Sequence, residues 1–139
     1  MGAFDGLDIS GSGMSAHRAW MEAAASNVAN ANTTRTAAGG PYQRKTVVFQ
    51  EALKAAELGV PLTPSGVEVT AGPPDPTPFP KIFDPSHPDA DAQGYVSLPN
   101  VDPVREIVDL TAATRAYEAN VAAFGATKSM LLKSLEIGR

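Results

Sequence analysis

Asp89, Asp91, Gln93 and Ser97 alternate along one short segment, with Gly94 at its sixth position and Val96 at its eighth. Oxygen donors at every second residue around a glycine turn resemble the opening of a calcium-binding loop, whose oxygen ligands suit a hard cation. Closing such a loop takes a bidentate glutamate at the twelfth position, where this chain has Asn100. It also takes flanking helices, which Pro85, Pro88 and Pro99 forbid. Asp84, His87, Asp89 and Asp91 bring further metal-type side chains into the same stretch, but two prolines separate them and only one offers nitrogen. A polar surface turn is the simpler reading. A small metal- or ligand-binding module using the 84–97 loop is the alternative it competes with.

Gly11, Gly13 and Ala16 match the spacing of a dinucleotide loop, yet no buried strand precedes them and no strand–helix alternation follows, so they read as a glycine-loosened helix start. The chain has no cysteine, which removes disulfides, thiolate nucleophiles and cysteine metal sites together. His17 has no nucleophile or acid partner placed near it and reads as a packed or interfacial residue, while His87 falls in the proline-interrupted surface loop. No catalytic residue, cofactor or metal ligand is therefore assigned, and an enzyme is not expected. A net charge of −4 without any basic run argues against nucleic acid. No segment approaches membrane-spanning length, and the start lacks the positive charge and apolar stretch of a cleavable signal, so direct membrane insertion and signal cleavage are not expected.

The elements that must position these side chains are set by proline. Eleven of the twelve prolines lie between Pro61 and Pro103, so long helices are confined to the two ends. Over 10–32 the spacing predicts a helix, with Leu7, Met14, Met21 and Val28 recurring every seven residues, Ala24 and Ala31 between them, and Ser10 and His17 in the same row. A second helix is predicted over 103–137: Asp102 suits the N-cap, Pro103 suits the first turn, and Glu106 and Asp109 sit near the positive helix end. Steps of three and four from Ile107 reach Leu110, Thr114, Tyr117, Val121, Phe124, Lys128, Leu131 and Leu135, a heptad row broken only by Thr114 and Lys128. That helix would be about 50 Å long, more than a small globule needs.

Between the ends, residues 45–49, 67–70 and 94–99 read as extended, 50–58 as a short helix, and 73–80 as polyproline-like loop. The fold class expected is mainly α: long N- and C-terminal helices packed as a coiled-coil-like pair, with a proline-rich middle segment holding short extended or β-hairpin elements. Residues 1–33 and 103–139 would form a discontinuous core domain, and 34–102 an insertion. With 43% hydrophobic but only 6% aromatic residues, the core is modest and partners are needed to complete its burial.

Asn27, Asn30 and Asn32 crowd the end of an alanine-rich helix, where they suit carbonyl capping and turn geometry. The run Asn27-Val28-Ala29-Asn30-Ala31-Asn32-Thr33 resembles the N-terminal signature of the bacterial flagellar axial proteins, with Val28 where leucine is commoner. Leu7 to Met14, Gly39-Gly40-Pro41-Tyr42 with Arg44-Lys45, 84–91, Gly94-Tyr95-Val96, Pro99-Asn100-Val101, Val108-Asp109-Leu110 and Arg115 to Asn120 extend the resemblance over nearly the whole chain, the middle block pointing to rod members.

The resemblance implies a structural subunit of the proximal rod, stacked helically into the drive shaft. It implies export unfolded through the flagellar type III apparatus, without signal cleavage, and assembly in the periplasm at the flagellar basal body. Expected partners are copies of the same chain, other rod proteins, and the adaptor between the membrane ring or export gate and the rod base. Leu7, Met14, Met21, Val28, Ile107, Leu110, Tyr117, Val121, Phe124, Leu131 and Leu135 are the expected assembly interface. Asn27, Ala29, Asn30 and Thr33 carry the family signature.

Overall fold

The computed structural model describes residues 4–54 and 63–137. Helix α1 runs Asp5–Ala29, strands β1 and β2 Val47–Lys54 and Thr63–Ala71, strands β3 and β4 Lys81–Phe83 and Tyr95–Ser97, and helix α2 Pro103–Ile137. Both strand pairs are antiparallel and separate from one another. The fold is thus mainly helical, two terminal helices packed together with two small sheets between them in sequence.

Helix α2 starts as its sequence dictates. Asp102 Oδ1 accepts the amides of Val104 at 3.0 Å and Arg105 at 3.4 Å, and Pro103 fills the first turn, where no amide is needed. Helix α1 begins earlier than the 10–32 expected, because glycine costs helix stability but relieves crowding. A Cβ at Gly13 would meet Asn120 Oδ1 at 2.9 Å, and one at Gly6 would meet Thr127 Cγ2 at 3.3 Å. Those glycines let α2 approach. The helix stops at Ala29, where Asn30 returns its side-chain amide to the Ser26 carbonyl at 2.9 Å.

The helices run antiparallel in seven-residue steps. Asn27 bonds Glu106, Gly13 faces Asn120 and Gly6 faces Thr127, so positions 6, 13, 20 and 27 of α1 lie level with 127, 120, 113 and 106 of α2. Leu110, Tyr117, Phe124 and Leu131 are half-buried in the inner row as their spacing predicts. The residues alternating with them are Glu106, Ala113, Asn120 and Thr127, each one place before Ile107, Thr114, Val121 and Lys128, which are exposed. A seven-residue repeat alone does not choose between adjacent positions. Here the small and polar surface of α1 takes the small and polar row.

The β1–β2 hairpin lies along α1, with Phe49 paired to Val69 and Val47 to Ala71. Residues 50–54 continue β1 where a short helix was expected, because each has a ladder partner in β2; residues 55–58 of that expected helix lie outside the described ones. Residues 73–80 form no helix or strand, as their prolines require. Ring contacts fasten the hairpin to α1: Phe49 sits 5.9 Å from Trp20 and 5.8 Å from His17, centroid to centroid.

Burial is scant. Among the described residues the buried hydrophobics are Ala16, Ala24, Tyr42, Val96 and Ala113. The accessible surface is 9517 Å², against about 6,800 Å² for a compact chain of this mass. Two long helices and two hairpins have too little of one another to bury.

Candidate functional site

The best-buried chemistry lies where the C-terminal end of α1 meets the start of α2. Asn27 is 1% exposed and uses both ends of its amide. Its Nδ2 donates to the Lys45 carbonyl at 2.9 Å and to Glu106 Oε2 at 3.0 Å. Its Oδ1 accepts the Tyr42 hydroxyl and the Lys45 amide, each at 2.9 Å. All of the hydrogen-bonding capacity of a buried amide is thereby spent.

The turn that delivers Tyr42 depends on two glycines. Gly39 and Gly40 take φ of 85° and 75°, a region that costs other residues strain, and the Gly40 carbonyl accepts the Thr36 amide at 2.9 Å. The Tyr42 amide then returns to the Thr33 carbonyl at 2.9 Å, and Arg44 and Lys45 follow alongside α1.

Glu106 is 2% exposed, so its charge must be compensated. Arg44 Nε donates to Glu106 Oε1 at 2.6 Å, while its terminal nitrogens lie 3.4 Å from Asp75 and 3.5 Å from Asp109. Burial works against the Arg44 charge, but hydrogen bonding and attraction from Glu106, then Asp75, outweigh it and raise the guanidinium pKa further above its ordinary range. The Thr77 hydroxyl and amide, and then Arg44, hold the Asp75 carboxyl below its ordinary value. Asn100 closes the group: Oδ1 accepts the Arg44 amide at 2.8 Å and Nδ2 donates to the Thr77 carbonyl at 3.1 Å.

This cluster contains acids, a guanidinium and amides paired with one another. It offers no activated nucleophile; it locks the middle segment to both helix ends.

Of the signature residues, Asn27 is the hub. Asn30 closes the helix end and accepts the Thr33 hydroxyl at 3.2 Å, while Ala29 is exposed. Tyr42, Arg44, Asn100 and Glu106 had no assigned role in the lock; a glutamate opening the row Glu106, Ala113, Asn120, Thr127 was the available signal.

The expected interface residues fall into two rows, with Leu135 apart from both. Leu110, Tyr117 and Phe124 are half-buried on the side of α2 that meets α1, and Leu131 is half-buried beyond the described start of α1. Leu7, Met14, Met21 and Val28 are half-buried along one side of α1, and Lys128, Val121, Thr114 and Ile107 are exposed along α2. The Thr114 hydroxyl lies 3.4 Å from Met21 Sδ, which places both rows on one flank of the pair. Val121 is 46% exposed there. Leu135 is exposed near the far end of α2.

In the 84–97 loop each carboxylate already has a hydrogen-bond or ion-pair partner. Asp84 accepts the Ser86 hydroxyl at 2.6 Å, the first cause of its lowered pKa. Asp89 accepts Thr34 and pairs with Arg35, both at 2.8 Å, and Asp91 accepts the Tyr95 amide at 2.8 Å. Among the described residues no group of three metal-type side chains could hold an ion, and no helix is long and apolar enough to cross a membrane. His17 forms a three-ring cluster with Trp20 and Phe49, and its buried Nδ1 has no hydrogen-bond partner among the described residues.

Two family models match the helical ends: "Flagella basal body rod protein" over residues 7–35 and "Flagellar basal body rod FlgEFG protein C-terminal" over 92–137. The class is that of flagellar basal-body rod proteins. Curated relatives described as flagellar basal-body rod protein FlgC match end to end: 43% identity in Bacillus subtilis over 100% of both chains, 41% in Escherichia coli O6:H1 over 96% of each, and 36% in Borreliella burgdorferi over 99% of this chain and 98% of that one. The chain belongs to the FlgC family.

Proposed function

We propose that this protein is a structural subunit of the rod of the bacterial flagellar basal body, not an enzyme, and that the exposed flank of its helix pair is where neighbouring subunits pack. The observation that carries this reading is the mismatch between a helix of 35 residues and a core of a few small side chains. A chain with so much unspent apolar surface gains its rigidity from neighbours.

The helices pair as a coiled coil and form, with residues 1–33 and 103–139, the discontinuous core domain; residues 34–102 reach outward as the insertion. Met14, Met21, Val28, Ile107 and Val121 meet copies of the chain or other rod proteins, and helical stacking in the proximal rod carries torque. At the rod base the same surfaces meet the adaptor to the membrane ring or export gate. Export runs through the flagellar type III apparatus without signal cleavage, and assembly takes place in the periplasm.

Val121→Asp tests this. The side chain is exposed in the single chain, so the variant folds and is secreted, but a carboxylate cannot be desolvated unpaired at a packed interface. In cells lacking the native gene it should give secreted subunit, no completed rod and no swimming. Normal swimming would remove the flank from the assembly.

A further inference from the structure

Side chains along the seam between the helices recur every seven residues on both sides, which by itself leaves the axial register of the pair open. Gly6 and Gly13 stand level with Thr127 and Asn120, and a glycine has no side chain to displace if Ala113, Asn120 or Thr127 comes opposite it. Leu110, Tyr117 and Phe124 repeat at the same step, so a slide of α2 by one heptad, about 10 Å, exchanges each for the next. Trp20 commits its ring elsewhere, edge-on to Phe49 of the hairpin at 5.9 Å. Helices with such repeats pair in several registers unless a buried polar group selects one.

One level does not exchange. Asn27 and Glu106, 1% and 2% exposed, are the largest fully buried side chains among the described residues, and both are polar. Slid one heptad one way, Asn27 would face Ala113, and Glu106 would stand level with Thr34, past the end of α1 at Ala29. Slid the other way, Glu106 would face Trp20, and Asn27 would face Pro99, ahead of α2. Either slide takes the Asn27 amide at 3.0 Å from a buried carboxylate, and with it the Arg44 donor at 2.6 Å, because the neighbouring Lys45 is bonded to Asn27 through both of its backbone groups. Asn100 pins the same end. Its Oδ1 holds the Arg44 amide at 2.8 Å three residues before α2 begins, and its Nδ2 reaches the Thr77 carbonyl.

We infer that this cluster is a register key: Asn27, Arg44 and Asn100 admit Glu106 at one axial position of α2 and exclude the one-heptad slides that the rest of the seam permits. Register is set at one end of the pair, and the glycine levels beyond it follow. What the key secures is length. A pair that slides by a heptad under load changes the spacing of whatever is attached to its two ends, whereas a keyed pair hands the load on. That purpose in a rod rests on the assembly reading above, while the selection of register belongs to the single chain.

The chain has no native cysteine, so paired cysteines report the register of the free, full-length chain directly. A Cβ at Gly6 lies 3.3 Å from Thr127 Cγ2, close enough for a disulfide, so Gly6→Cys with Thr127→Cys reads the native register. Gly6→Cys with Asn120→Cys and Gly13→Cys with Thr127→Cys read the two slides, each pair standing about 10 Å apart along the axis in the native register. Every pair is placed in the native background and in one without the key, Asn27→Leu with Asn100→Ala and Glu106→Leu, which leaves no buried carboxylate unpaired. With the key, the native pair should close on oxidation and the slid pairs should stay reduced. Without it, the slid pairs should close several-fold more while circular dichroism keeps its helix signal. Slid pairs that stay open without the key overturn the inference, as does a slid pair that closes with the key in place. Loss of the helices without the key overturns it too, because the cluster would then hold the pair together rather than choose its register. All of this is read on the free chain, so normal swimming of Val121→Asp would sink the flank and leave the key standing, whereas open slid pairs would sink the key and leave the flank standing.

Discussion

Asn27→Asp changes one nitrogen for one oxygen and leaves the shape of the lock intact, yet it should be the more damaging of two substitutions at this site. In the native chain Nδ2 donates to Glu106 Oε2 at 3.0 Å, both residues being almost wholly buried. An aspartate there would set two carboxylates about 3 Å apart, a repulsion of about 5 kcal/mol at an effective dielectric of 20. Asn27→Ala creates no repulsion. It strips a donor from Glu106 and the acceptor from the Tyr42 hydroxyl, and leaving two buried partners short costs about 2–5 kcal/mol. Either is a large part of the roughly 5–15 kcal/mol that holds a domain together. Urea unfolding followed by circular dichroism, with hydrogen exchange over residues 42–46 and 103–107, should rank native above alanine above aspartate at pH 7. A proton shared between the two acids would relieve the repulsion, so Asn27→Asp should recover relative to Asn27→Ala as pH falls towards 5. An aspartate variant as stable as the native chain at pH 7 would refute the lock.

Gly13→Ala should destabilise, because its methyl group would sit 2.9 Å from Asn120 Oδ1, whereas Gly11→Ala, with nothing within 4 Å, should stabilise by about 0.5–1 kcal/mol in the same unfolding assay. The Asp75 carboxyl titrates below its ordinary 3.8 in the fold, so its contribution is present above that value and lost as pH falls through the depressed one. Acid unfolding of Asp75→Asn should accordingly be less steep than that of the native chain, and identical acid limbs would contradict the pairing. Mass spectrometry of subunits from purified basal bodies should find the encoded start apart from loss of Met1; a chain beginning beyond residue 15 would overturn export without cleavage.

The long helices were legible because their signals are local: an aspartate cap, a proline in the first turn and an apolar residue at every seventh position. The inner row of α2 was half legible. Leu110, Tyr117, Phe124 and Leu131 announce themselves as apolar, but Glu106, Asn120 and Thr127 face inward only because Asn27, Gly13 and Gly6 stand opposite, which is information held in another part of the chain. The lock was illegible for the same reason. Arg44 and Glu106 are 62 residues apart, and nothing near either one marks its partner. The helix expected over 50–58 failed where it can be compared because the ladder with β2 outweighs local preference in 50–54.

Methionine oxidation reports most directly whether assembly buries the flank. Met14 and Met21 lie half-buried on it in the single chain, and a thioether reacts with peroxide in proportion to its exposure. Oxidised under matched conditions and read by peptide mass spectrometry, both should react in the free subunit and be protected several-fold in intact basal bodies. Equal oxidation of Met14 and Met21 in the two states would contradict packing of neighbouring subunits against this flank.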